Sequence, residues 1–321
     1  MLVVLAISAA LPVPAREPSI NVEFVDSPSL MRRGEDRETA LELRVTSTQD
    51  APVKSTVTVS PTAGIKIEKN HFPVELARKG DSVTLELKIK FIGRPAPRDY
   101  YVTATAEGLC EPAHALIRYV DLELPENIVI SVASGPGKRL EAVLGRLGLE
   151  YARFDGSGGL DNFSAVLIGP RALSSDEVSE TVNLSAISDY AEAGGTVIVL
   201  GADSIEQISG IAPYPLEPAR APRGGVQLEV VHPGHNLFNV PNKLDDLDRD
   251  VLARRLPAEL PGTYDDQYRV LLEAVGETRN PVCLTAPCGK GTCVCAFFDW
   301  KNVLADLEPS AMRLLANLLG L

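Results

Sequence analysis

The chain has 321 residues, 45% hydrophobic and 23% charged, so it can bury one large core or two ordinary ones and is too apolar for a disordered protein. Lysine and arginine number 31 against 43 aspartates and glutamates, and the net charge of −12 argues against nucleic acid as a partner, leaving any bound anion to a local basic patch. Aromatic residues make up 5% and Trp300 is the single tryptophan, so a carbohydrate partner would meet few stacking platforms.

Leu2 to Leu11 is an almost unbroken apolar run followed by Leu11-Pro12-Val13-Pro14-Ala15, where Val13 and Ala15 fit the small-residue rule for signal-peptidase cleavage. Residues 1–15 therefore read as a secretion signal and the protein as exported, to a periplasm, the medium or a cell surface. No lysine or arginine precedes the run, so a start further upstream or a buried first strand stays open. The run falls short of the roughly 20 apolar residues of a membrane-spanning helix, and no later segment reaches that length.

Residues 16–124 carry an apolar pattern of period two. In Asp81–Phe91, Val83, Leu85, Leu87, Ile89 and Phe91 alternate with Ser82, Thr84, Glu86, Lys88 and Lys90, which gives a strand with one face buried. Similar stretches at Asn21–Val25, Ala40–Ser47, Ser55–Ser60, Gly64–Glu68, Tyr100–Ala106 and Ala113–Leu122 predict an immunoglobulin-like β-sandwich. The inter-sheet cysteine pair and core tryptophan of antibody domains are missing.

From Pro125 the rhythm changes. Asn127–Ala133, Ser164–Ile168 and Thr196–Leu200 are apolar throughout, and Glu150–Phe154 is strand-like. Between them lie helical patterns at Gly137–Gly148 and Ser174–Ala193. Residues 125–321 are thus expected to form an α/β domain, a flavodoxin-like, doubly wound parallel sheet with helices on both faces. Further strands are expected at Val226–Val231, Tyr268–Val275 and in a Pro281–Phe298 hairpin, with Pro309–Leu319 as a closing helix.

Five cysteines are present: Cys110 alone, then Cys283, Cys288, Cys293 and Cys295 together. Their spacing lacks the paired knuckles of a zinc site, so no metal and no cofactor are expected. On the predicted hairpin Cys293 and Cys295 share a face, and a disulfide from Cys283 to one of them is an open expectation. Asn162-Phe163-Ser164 and Asn183-Leu184-Ser185 are glycosylation sequons.

Phe163-Ser164-Ala165-Val166-Leu167-Ile168-Gly169-Pro170, Ile187–Leu200 with its Gly194-Gly195, His232-Pro233-Gly234-His235-Asn236-Leu237-Phe238, and Pro281–Leu284 followed by Gly289-Lys290-Gly291-Thr292 occur in order over residues 126–321. This succession resembles the class I glutamine amidotransferase-like fold, in particular the C-terminal module of bacterial β-galactosidase-like glycoside hydrolases. The resemblance implies a cysteine nucleophile on the turn after Thr196–Leu200, with a histidine and a carboxylate to activate it. Here the turn reads Gly201-Ala202-Asp203, and no cysteine lies between Cys110 and Cys283, so no catalytic residue is assigned. The paired carboxylates of a glycoside hydrolase would need a barrel of about 250 residues, for which there is no room.

Ser134-Gly135-Pro136-Gly137-Lys138, between a strand and a helix, is either a plain tight turn or a place where backbone N–H groups receive an anion. Ligands of doubly wound sheets sit beyond the carboxyl ends of the strands, which makes Ser134, Gly135, Gly137, Gly169, Arg171, Gly201 and Asp203 the candidate binding residues. Asp203 also reads as a helix N-cap, His232 and His235 as solvated or capping residues of a loop, and Asp245–Asp250 as a polar loop entering a helix. The reading is a non-catalytic, exported binding or assembly protein with a protein partner or self-association, accessory to envelope or polysaccharide metabolism as the resemblance implies. The alternatives are a hydrolase using Asp203, Arg171 or the histidine pair on a small sugar or amide, and a small-ligand sensor.

Overall fold

The structure, a computed structural model, describes residues 18–25, 27–34, 37–108, 111–135, 137–154, 159–172, 183–201, 204–208 and 210–321. The expected signal segment 1–15, Cys110 and Asp203 lie outside the described residues. The chain divides into two compact units, one ending at Tyr119 and the other beginning at Val120.

The first unit is a β-sandwich of β1 (Ile20–Phe24), β2 (Ser29–Arg32), β3 (Glu38–Ser47), β4 (Val53–Pro61), β5 (Ile65–Ile67), β6 (His71–Leu76), β7 (Ser82–Phe91), β8 (Arg98–Ala106) and β9 (Ala113–Val120). One sheet runs β1-β3-β7-β5 and the other β2-β9-β8-β4-β6. Alternation decides which side chains face inward: Leu41, Leu43, Val45, Leu87, Ile89 and Phe91 are buried, and the residues between them reach solvent. Phe91 stands edge-on to Tyr100, with ring centroids 5.0 Å apart. Two strands, β2 and β6, go beyond the seven expected from sequence. Pro73 interrupts the pattern of β6, and β6 tolerates it because it is an edge strand that needs partners on one side only.

The second unit comprises β10 (Val129–Ala133), α1 (Arg139–Arg146), β11 (Glu150–Arg153), β12 (Ala165–Ile168), α2 (Leu184–Ala193), β13 (Thr196–Leu200), β14 (Leu216–Arg220), β15 (Gln227–Val230), α3 (Asp246–Ala253), β16 (Glu259–Tyr264), β17 (Arg269–Val275), β18 (Arg279–Cys288), β19 (Gly291–Ala296), α4 (Trp300–Ala305) and α5 (Pro309–Leu319). Eight strands form a sheet in the order β11-β10-β12-β13-β19-β18-β17-β15, and β14 pairs with β16 apart from it. Pairing is parallel from β11 to β19 and antiparallel from β19 to β15.

This corrects the expected doubly wound, flavodoxin-like α/β domain. Strands account for 43% of the described residues and helices for 18%, the helices are short, and the sheet is mixed. Gly276-Glu277-Thr278 joins β17 to β18 and Gly289-Lys290 joins β18 to β19, connections far below the roughly dozen residues of a parallel crossover. No helix is found among the described residues between β11 and β12. The apolar runs are buried as expected, with Ile130, Val132, Val166, Leu167 and Ile198 in the interior, but an apolar run does not reveal the direction of its neighbours.

The glycines of the quoted motifs have packing roles. The β18–β19 turn presses onto the end of α2, where a Cβ on Gly291 would lie 2.2 Å from the Gly195 carbonyl oxygen. Lys290 N–H donates to Glu192 O (3.1 Å) and Thr292 N–H to Gly195 O (3.1 Å), stitching the same contact.

In the same unit, Asn317 is fully buried on α5 and closes a polar cluster. Its Nδ2 donates to Leu237 O (2.8 Å) and Asn242 O (2.7 Å), and its Oδ1 accepts from Asn242 N–H (2.9 Å) and Nδ2 (3.1 Å). Asn242 in turn exchanges two 2.8 Å hydrogen bonds with the backbone of Glu123. Beside this cluster Arg313 pairs with the buried carboxylate of Asp248, which with Asp245 forms the capping box of α3.

Candidate functional site

From β10 the chain turns to β11 on one side and returns to β12 on the other, so the loops after β10 and β12 leave neighbouring strand ends. Between them lies a cavity of about 280 Å³ lined by Gly135, Gly137, Arg139, Leu140, Pro170, Arg171, Lys301 and Leu304. Gly135 is the contact that lets the loops meet: a Cβ there would stand 2.2 Å from Pro170 O and 3.0 Å from the Arg171 carbonyl carbon. Lys138 and Arg171 both adopt left-handed backbone, with φ of 51° and 62°.

The charge distribution is unusual for a helix start. Helix N-termini favour acidic side chains because the peptide dipoles leave partial positive charge there. Here Lys138 occupies the N-cap without a side-chain hydrogen bond to the helix, and Arg139 follows it. Glu141 is the acidic residue of the first turn, but it is buried and held by Arg153 at 2.6 Å. Lys301 enters from the start of α4, where its carbonyl accepts a 3.2 Å hydrogen bond from Arg139 Nη1. Arg139, Arg171 and Lys301 thus converge on one cavity in a chain of net charge −12. Beside Gly135, the Ser134 hydroxyl is buried with no hydrogen-bond partner among the described residues.

Of the residues expected from sequence, Gly135, Gly137 and Arg171 line the cavity, and Ser134 adjoins it. Gly169 lies beneath it, where a Cβ would press 2.9 Å from Leu140 Cδ2. Gly201 is elsewhere: its N–H donates to Ala296 O (2.8 Å), and it packs against Phe298 and Trp300 at the end of β19. Arg139 and Lys301 were not singled out by sequence. Arg139 follows the glycine turn and was legible there as a cation, whereas Lys301 is 162 residues further along the chain.

The other candidates resolve into structural roles. His235 caps a short 3-10 turn, its Nδ1 accepting from Leu237 N–H (3.2 Å). Burial, with Arg269 and then His232 nearby, lowers its pKa below the usual histidine value. Asp245 caps α3, and Asn183 caps α2 through Ala186 N–H (3.2 Å). The expected bridge from Cys283 is corrected. Cys283 lies opposite Ala296, while Cys293 and Cys295 lie opposite Ala286 and Leu284, so Cys283 points from the other face of the sheet. Cys283, Cys288, Cys293 and Cys295 are all free thiols.

A larger concavity, about 630 Å³, runs along Ala221–Gln227 and Leu256–Ala258. It mixes Arg223 and Arg254 with Asp250 and gathers no comparable charge of one sign.

No protein-family model matches this chain, and no curated protein matches it. Among solved structures it is similar to native α-2-macroglobulin of E. coli, with 21% identity and a TM-score of 0.28 over 32% of this chain and 7% of that one. A cytoplasmic protein of Salmonella typhimurium LT2 overlaps 70% of this chain and 95% of its own, at 13% identity and a TM-score of 0.40. The β-galactosidase of Bacillus circulans sp. alkalophilus overlaps 60% of this chain and 31% of its own, at 12% identity and a TM-score of 0.38. These overlaps are too loose to assign a fold or an activity. The mixed sheet and short helices of the second unit withdraw the resemblance to the class I glutamine amidotransferase-like family. No helix among the described residues is long and apolar enough to cross a membrane.

Proposed function

We propose that the second unit is a non-catalytic binding module that receives a small anion, a carboxylate or phosphate group, in the crevice between the β10 and β12 loops. The observation that carries this reading is the convergence of Arg139, Arg171 and Lys301 at the positive end of α1, a placement that a bound anion would stabilise. Leu140, Pro170 and Leu304 supply an apolar wall for the rest of the ligand. Export, from the apolar Leu2–Leu11 run, and a protein partner or self-association remain parts of the proposal.

The test is thermal unfolding against inorganic phosphate, phosphorylated sugars, small carboxylates and neutral sugars. A matching anion at a hundred times its Kd stabilises by about 2.7 kcal/mol. Lys301→Ala and Arg171→Ala each remove that shift while the ligand-free transition stays close to wild type. A shift that survives both substitutions, or one produced equally by neutral sugars, overturns the reading.

A further inference from the structure

β15 is the last strand of the eight-stranded sheet, paired with β17 on one side only. Val231 N–H donates to Leu271 O at 3.0 Å, which fixes the phase of the ladder. Residues of an antiparallel strand alternate between those that exchange both hydrogen bonds with the neighbour and those whose N–H and C=O point away from it. Leu228 and Val230 are of the second kind, and neither has a backbone partner on the free side among the described residues. β15 carries no proline, lysine or bulge, the common guards of an exposed edge.

A cavity of about 500 Å³ is lined by Gln227, Leu228, Glu229 and Val230 together. Successive side chains of a strand point to opposite faces, so a cavity that touches all of them runs along the backbone edge. Lys243, ahead of α3, and Arg249 on α3 line it too, with Phe238 and Leu244 as apolar surface. Past Gln227, which lines both, it continues into the larger concavity of Arg223, Asp250 and Arg254. An open strand edge along a groove accepts an extended peptide as one more strand, through main-chain hydrogen bonds.

Charge selects the peptide. Glu229 is neutralised by Arg279 at 2.7 Å, and Arg249 by Asp246. That leaves Arg223, Lys243 and Arg254, unpaired among the described residues, against Asp250. A two-fold pairing with the β15 edge of a second copy would bring this basic cluster against itself. We infer that the β15 edge docks an extended acidic segment of a partner protein, held by the outward N–H and C=O groups of Leu228 and Val230 and steered by Arg223, Lys243 and Arg254. The inference goes beyond the anion-binding reading and shares no residue with that crevice, so either can fail without the other.

The test is fluorescence anisotropy of the full chain with a labelled peptide of alternating glutamate and valine, about eight residues long, beside its lysine–valine counterpart. The glutamate peptide is expected to bind and the lysine peptide to stay free. Hydrogen exchange of the wild type with the glutamate peptide should slow the Leu228 and Val230 amides. N-methylation of alternate peptide residues tests the main chain on the unaltered protein: one set of methyls abolishes binding and the other leaves it, because only one set faces β15. Lys243→Glu and Arg254→Glu each weaken binding about tenfold, and Val230→Pro, which removes an outward N–H and no ladder bond, weakens it as much. No binding of the glutamate peptide, equal binding of the lysine peptide, equal loss from both methylated sets, or protection of Gly135 and Arg139 in place of β15 overturns the inference. Protection of Leu228 and Val230 that rises with chain concentration alone gives the edge to a second copy and overturns it too.

Discussion

The sandwich and the second unit fill their interiors in different ways. The sandwich is almost wholly aliphatic and aromatic inside, with Ser47 as its buried polar residue among those described. The second unit buries Ser131, Glu141, Asn242, Asp248, Asn280, Ser310 and Asn317 as well. An alternating strand satisfies its backbone in the sheet and needs only apolar side chains to fill the gap between sheets. The irregular segments around β14–β16 and α3 leave backbone groups without a ladder partner, and buried amide side chains satisfy them instead. The lesson is that the two units should break differently, the first by losing volume and the second by losing hydrogen bonds.

Asn317→Ala gives the largest expected effect, because it leaves the Leu237 and Asn242 carbonyls and two Asn242 donors unsatisfied. A loss of about 4 kcal/mol is expected from several buried groups left unpaired. Urea unfolding followed through Trp300, the single tryptophan and a buried residue of the second unit, measures it. A loss below about 1 kcal/mol would show that the cluster does not hold the unit together.

Leu87→Ala in the sandwich comes next, at about 3 kcal/mol for a fully buried leucine replaced by alanine. The contrast is sharpest if hydrogen exchange shows the loss in β3 and β7 while the amides of β13 and β19 keep their protection.

The smallest effect concerns pH. His235 has a lowered pKa in the fold, so its neutral form is favoured and unfolding takes up a proton near the ordinary histidine pKa. Its contribution is fully present above that pKa, about 6.5, and declines as the pH falls through the lowered folded value. His235→Gln should flatten the fall of the second unit's urea midpoint below about pH 6.5, whereas the sandwich variant Leu87→Ala should leave that slope unchanged.

Several features were legible in the chain itself. Val83 to Phe91 alternates so strictly that its buried face could be read directly, and the hairpin turning at Gly289-Lys290 follows from its turn residues and flanking apolar runs. The glycine turn at Gly135 also marked one wall of the cavity between the β10 and β12 loops. The pairing direction of the second unit's strands was not legible, because Val166-Leu167-Ile168 is equally apolar beside a parallel or an antiparallel neighbour.

What the sequence determined by itself was local: strand faces, turns, caps, and the placing of Cys293 and Cys295 on one side of a strand. These depend on spacings of a few residues, which backbone geometry converts directly into direction. Tertiary structure alone decided that Lys301 meets Arg139, that Asn317 meets Asn242, and that Cys283 faces away from the other thiols. The first two pairs are far apart in sequence, and the third turns on a register of one residue. Neither distance along the chain nor register is set by composition; both are set when the strands pair and the core closes.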